Sequence, residues 1–140
     1  MNKITSFRGK NSFLSNMHPV FVTFEGVRYP SVENAFQAAK TLNLEDREVF
    51  RVCSSSEAKK EGRKVTLRSD WDSKRIDIMR NLLKDKFSQP KFKEKLLETD
   101  DAEIIEGNTW GDTFWGVYKN SGENNLGKLI MSIRSEIKER

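Results

Sequence analysis

Pro30 followed by Ser31 constrains the fold of this chain more than any other pair of residues. Proline disfavours the helical region for the residue before it, so Tyr29 is held extended, and a serine just ahead of an apolar period is a favoured helix N-cap. A strand must therefore end and a helix begin within two residues. Upstream, residues 20–24, then Glu25-Gly26, then residues 27–29 read as a β-hairpin with a tight two-residue turn. Phe21 and Thr23 on one side and Val20, Val22 and Phe24 on the other leave both faces largely apolar, which predicts a hairpin covered on both sides. Downstream, Val32, Ala35, Phe36 and Ala39 recur at helical spacing, and the helix is expected to run to about Asn43.

Glu33, Gln37 and Lys40 make a second, polar stripe on that helix beside the apolar one, at the edge of a core where clefts form. Glu33 lies in the first turn, where the positive end of the helix favours an ionised carboxylate. Such a group suits stabilising a cation, attacking, or acting as a base better than donating a proton. The same spacing also fits a capped surface helix with a charge pair seven residues apart.

A second helical stretch is expected over 44–52, with Leu44, Val49 and Phe50 inward. Ser54-Ser55-Ser56-Glu57 has capping-box spacing, and Gly62 is a plausible stop for the short helix behind it. Asp72 or Ser73 is placed to cap the next helix, whose buried stripe is read as Ile76, Met79, Leu82, Leu83 and Phe87. Pro90 fits the first turn of a further helix carrying Phe92, Leu96 and Leu97. Residues 102–106 read as a short strand, 109–118 as a loop rich in glycine and aromatics. Leu126, Leu129, Ile130, Ile133 and Ile137 form the clearest apolar stripe of all, on a last helix opening near Asn124. There is no repeat, linker or low-complexity tract. The expectation is one α+β domain over 1–140, compact and mostly helical, with a small antiparallel β element.

Composition narrows the function classes. No apolar run approaches the roughly 18 residues that span a bilayer, and no signal-peptide layout opens the chain. With a lone cysteine, Cys53, no internal disulfide can form, and a cytoplasmic protein without membrane attachment is expected. One histidine, His18, and one cysteine are too few for an ordinary zinc site, so no metal is expected. The net charge of +4 is uneven: residues 57–95 hold thirteen Lys/Arg against seven Asp/Glu, whereas 98–112 hold six carboxylates and no Lys or Arg. That asymmetry suits a phosphorylated ligand between unlike surfaces, and equally suits solvated helix faces.

Four polar clusters border aromatic residues: Glu33/Gln37/Lys40, Asp70-Trp71-Asp72, Asp112/Trp115 and Asn124/Asn125. Cleaving an N-glycosidic bond needs what such clusters supply. A carboxylate stabilises the oxocarbenium-like sugar, a tryptophan face holds the flat leaving heterocycle, and a second carboxylate positions water. Two Trp and two Gly within residues 110–116 mark a tightly shaped loop, either a site or a core plug. Asp70 and Asp72 are also explained as helix caps. Residues 125–128 open a helix, where free backbone N–H groups and Lys128 would seat a phosphate, although an ordinary helix start reads the same way.

Tyr29-Pro30-Ser31-Val32-Glu33-Asn34-Ala35-Phe36-Gln37-Ala38-Ala39-Lys40 resembles the signature of the NADAR family, the YbiA-like N-glycosidases. Phe13-Leu14-Ser15-Asn16-Met17, Asp70-Trp71-Asp72, Asp112-Thr113-Phe114-Trp115-Gly116 and Asn124-Asn125-Leu126-Gly127-Lys128 resemble its other blocks, in the same order and over nearly the whole chain. The family often has His at the position of Asn34 and Asn-Phe where this chain has Asn16-Met17.

The resemblance implies hydrolysis of a ribose N-glycosidic bond with no cofactor. Family members act on phosphoribosylaminopyrimidine intermediates of riboflavin synthesis, and others remove ADP-ribose from guanine in nucleic acid. The implied partner is a phosphoribosyl or ADP-ribosyl small molecule, with nucleic acid only as a modified substrate. In this reading Glu33, Asp112 and Lys40 are catalytic, Lys40 as phosphate contact or as the amine of a sugar imine. Trp115, Trp71, Gln37, Asn16, Asn125 and Lys128 bind substrate. A non-catalytic ADP-ribose or nucleotide-binding module and a DNA-binding protein are the rival readings.

Overall fold

The computed structural model describes residues 2–140. In chain order its elements are β1 (Lys3–Ile4), a 3-10 helix (Gly9–Leu14), β2 (Val22–Phe24), β3 (Val27–Tyr29) and α1 (Val32–Ala38). A 3-10 turn (Glu48–Arg51), α2 (Ser55–Gly62), α3 (Trp71–Ser88), α4 (Pro90–Glu98), β4 (Glu103–Ile104) and α5 (Asn125–Lys138) follow. The chain is α+β and mostly helical, with a small antiparallel sheet, β2–β3. It divides into two compact units, Asn16–Ser88 and the pair Met1–Ser15 with Gln89–Arg140. No helix among the described residues is long and apolar enough to cross a membrane.

In the unit Asn16–Ser88, the hairpin pairs Val22 with Tyr29 and Phe24 with Val27 across Glu25-Gly26. Both turn residues have positive φ, 48° and 83°, the backbone of the tight turn that matches strand twist. Only one face is covered. Val22 and Tyr29 are buried, but Phe21 is 56% exposed, sheltered by the Arg28 guanidinium 4.2 Å above its ring. A cation laid over an aromatic face does part of the work that a second layer of core was expected to do.

Ser31 caps α1 by accepting the Asn34 N–H at 3.0 Å, and every residue of the helix is buried. The helix stops at Ala38, five residues short of the expected end. The carbonyls just past it are taken from elsewhere, so the helical ladder is not continued: Lys40 accepts the Arg68 N–H at 2.7 Å and Thr41 accepts Arg47 Nε at 2.9 Å. The same buried Arg47, also bonded to Glu25, leaves the expected second helix as no more than the 3-10 turn Glu48–Arg51. Phe50 is inward as expected, whereas Leu44 is 71% exposed and Val49 also faces solvent.

The Ser54 capping box forms in full, and α2 ends on Gly62. In α3 the cap is neither Asp72 nor Ser73. Asp70 stands at that position, its carbonyl accepting from Lys74 N–H, while its carboxylate is gripped by Arg68 through Nε at 2.6 Å and Nη2 at 3.1 Å. The buried stripe contains Ile78 rather than Ile76, and also Lys86, which has no solvent exposure at all.

In the other unit β1 pairs in parallel with β4, Ile4 opposite Ile104. Two-residue strands carry no period, which is why only the β4 half was legible. Pro90 opens α4, with Phe92 and Leu96 buried. Asn124, in the left-handed region, sends its side chain to β4: Oδ1 accepts the Glu106 N–H and Nδ2 donates to the Ile104 carbonyl. A side chain thus extends the ladder where no third strand exists. Leu126, Leu129, Ile130 and Ile133 are buried on α5.

Candidate active site

α1 brings the first cluster together because the helix is buried on every side, polar residues included. Glu33, 7% exposed, is anchored through its backbone, whose N–H donates to the Asn16 carbonyl at 2.9 Å. One turn on, Gln37 Nε2 donates to Glu33 Oε2 at 2.6 Å, fixing the carboxylate's orientation. Gly62 at the end of α2 makes room for that amide: a Cβ there would overlap the Gln37 carboxamide. Burying a carboxylate is tolerable only with donors on its oxygens, and Gln37 is one of them.

Lys40 lies past the end of α1, half-buried. Burial pushes its ammonium below the ordinary lysine range; the Glu33 charge opposes that shift and Arg63 adds to it. An amine so placed has more of its neutral, nucleophilic form near neutral pH than a surface lysine. Arg63 was not singled out from the sequence. It sits in the basic run after Gly62, and only folding shows which member of that run faces Lys40. Trp71 is buried with its ring 4.9 Å from that of Phe36 on α1, as part of the core. The Asn16 amide reaches the Met79 sulfur at 3.6 Å.

Residues 108–116, in the other unit, form the tightly shaped loop expected of them. Asp112 Oδ1 accepts the N–H groups of Phe114 at 3.1 Å and Trp115 at 2.9 Å, and Asn108 brackets Asp112 through both its backbone groups. The half-buried Trp115 meets Phe114 edge-on. At the start of α5 the backbone N–H groups of Asn125 and Leu126 already donate to the carbonyls of Phe114 and Trp115. They are therefore not open to a phosphate, contrary to expectation. The Asn125 side chain also donates to the Phe114 carbonyl, and Lys128 is exposed. Among the described residues no three His, Cys, Asp or Glu side chains are grouped as a metal site requires.

A model of the NADAR domain matches residues 5–138. The chain belongs to the NADAR family. It is 34% identical to an N-glycosidase of Nostoc punctiforme over 132 residues, covering 89% of this chain and 84% of that one. It is 33% identical over 135 residues to a riboflavin biosynthesis protein of Vibrio vulnificus, covering 92% of this chain but only 36% of the relative's length. The solved structure of the Escherichia coli protein YbiA superposes with a TM-score of 0.85 at 30% identity, covering 99% of this chain and 88% of that one.

The NADAR position where this chain carries Asn34 is a scaffold position here. Asn34 is wholly buried; Nδ2 donates to the Phe50 and Cys53 carbonyls at 2.9 and 2.8 Å, and Oδ1 accepts from the Ser31 hydroxyl at 2.6 Å. Without solvent exposure the side chain cannot touch a substrate.

Proposed function

We propose that this NADAR chain is an N-glycosidase that hydrolyses a ribose N-glycosidic bond. The observation that carries the reading is the buried Glu33 carboxylate, oriented by Gln37 and within the electrostatic reach of a half-desolvated Lys40. The N-glycosidases among its relatives support the same class. A riboflavin biosynthesis protein among them favours a phosphoribosylaminopyrimidine as substrate.

In this mechanism the Lys40 amine attacks the sugar C1 as the bond from C1 to the amino nitrogen on the pyrimidine breaks. The bonding pair leaves with that nitrogen, which takes the proton Lys40 gives up. The sugar ring then opens to an imine, and water returns the free sugar and the amine. Glu33 offsets the positive charge that builds on the sugar, the largest electrostatic demand of the reaction. Gln37 and Asn16 hold the carboxylate and the helix start in place. Trp71 walls the cluster. Asp112, with one oxygen committed to two backbone N–H groups, serves to hold the Trp115 loop, as Asn125 does from α5.

The test is incubation with a phosphoribosylaminopyrimidine, NAD, ADP-ribose and ADP-ribosylated guanine DNA, with free sugar followed by mass spectrometry. Sugar released from the first and not the others is expected. Release only from modified DNA would move the substrate to nucleic acid, and release from none would leave a binding module. Borohydride added during turnover should fix a sugar adduct on Lys40; undiminished activity in Lys40→Ala would remove the imine.

A further inference from the structure

Lys3, Lys10 and Lys95 are far apart in sequence, yet folding sets them around one hollow of the unit built from the chain ends. β1 carries Lys3, the 3-10 helix Gly9–Leu14 carries Lys10 with Asn11, and the last turn of α4 carries Lys95. The hollow measures about 760 Å³, and concavities of roughly 300–1,000 Å³ accept ligands of cofactor size. Its apolar lining is Phe13, Ile4 and Ala102, and Asn2 and Asn11 line it as well.

The charge is lopsided. Three lysines face one carboxylate, Glu98, a net of +2 from the lining residues. Lys3 has Glu103 at 3.7 Å, an exposed pair that neutralises little. Among the described residues neither Lys10 nor Lys95 has a carboxylate within ion-pair distance, and the Lys95 ammonium instead lies 5.7 Å from the centre of the Phe13 ring. Like charges gathered around one hollow repel one another, and an anion is what relieves them.

We propose that this hollow is a binding site for a compact phosphoester of nucleotide size. The lysines take the phosphate oxygens, the two asparagines take the hydrogen-bonding edge of the ligand, and the apolar lining takes its flat part. None of its residues belongs to the Glu33 cluster or to the loop 108–116, so either reading can fail without the other.

The test is amide NMR of the full chain titrated with inorganic pyrophosphate, with ADP, and with a short oligothymidylate. Pyrophosphate and ADP should shift the amides of residues 2–4, 11 and 95–99, and Lys10→Ala/Lys95→Ala should weaken both at least about tenfold. Lys10→Ala alone, at an exposed position, gives the same reading if the double variant folds poorly. Shifts produced by the oligonucleotide alone would overturn the compact ligand. Shifts scattered over the surface, or unchanged in Lys10→Ala, would overturn the site.

Discussion

Lys86 is the most heavily desolvated cation in the chain, and its replacement by methionine turns that burial into a measurable pH dependence. Its side chain has no solvent exposure, its ammonium lies 5.1 Å from the centre of the Phe87 ring, and burial pushes its pKa down to about 7 from 10.5. The unfolded chain keeps the ordinary value. Between pH 7 and 10.5 the unfolded state therefore binds the proton that the folded state has released, and stability rises with pH. Below pH 7 both states are protonated; there the lysine's cost is at its full value, roughly 4–5 kcal/mol at about 1.4 kcal/mol per pH unit. From pH 7 to pH 9 the wild type should gain about 2 kcal/mol relative to Lys86→Met, because the folded group is half-titrated at the start and neutral at the end. Comparing the two proteins cancels the opposing shifts of Cys53 and Tyr29, which burial raises, and the parallel shift of Lys40. Urea denaturation of both at pH 7, 8 and 9 reads the difference. Free-energy differences that stay constant across that range would show that Lys86 remains charged inside the fold.

Other substitutions bear on the two polar clusters. Gly62→Ala should displace the Gln37 carboxamide from Glu33, lowering turnover and costing about 1–3 kcal/mol of stability; urea midpoints and a rate assay check it, and unchanged rates would show that the Gln37–Glu33 bond is dispensable. Asn34→Ala strands the Phe50 and Cys53 carbonyls and should cost about 2–4 kcal/mol by the same denaturation assay, with a loss under 1 kcal/mol speaking against the scaffold role. Asp112→Asn keeps an acceptor for the Phe114 and Trp115 N–H groups while removing the charge, so turnover should change less than about threefold. A fall of about a hundredfold would instead make Asp112 the base.

What the sequence made legible is what short stretches decide by themselves. The Ser31 cap, the Ser54 box, the Glu25-Gly26 turn and the α5 stripe as far as Ile133 each depend on residues close in the chain, and each stands where expected. The misses share the opposite cause. α1 ends early where the carbonyls just past it, on Lys40 and Thr41, are taken by Arg68 from far along the chain and by Arg47 from the following loop. β1 and β4 exist only through each other, about a hundred residues apart. Lys86 sits at the helical period of Met79, Leu82 and Leu83, so its side of α3 could be read from the spacing; that the fold keeps a lysine there wholly buried could not. The Glu33/Gln37 pair was readable as an i, i+4 spacing; that Gly62 completes it and that Arg63 acts on Lys40 required the fold.

In the proposed mechanism Glu33 is the charge that meets the developing sugar cation. Single-turnover rates and substrate affinity of Glu33→Gln test it most directly, since glutamine preserves shape and an acceptor for Gln37 while removing the charge. The rate should fall by about 10²–10³-fold with the dissociation constant within about threefold of the wild type. A variant that turns over at the wild-type rate would contradict the account.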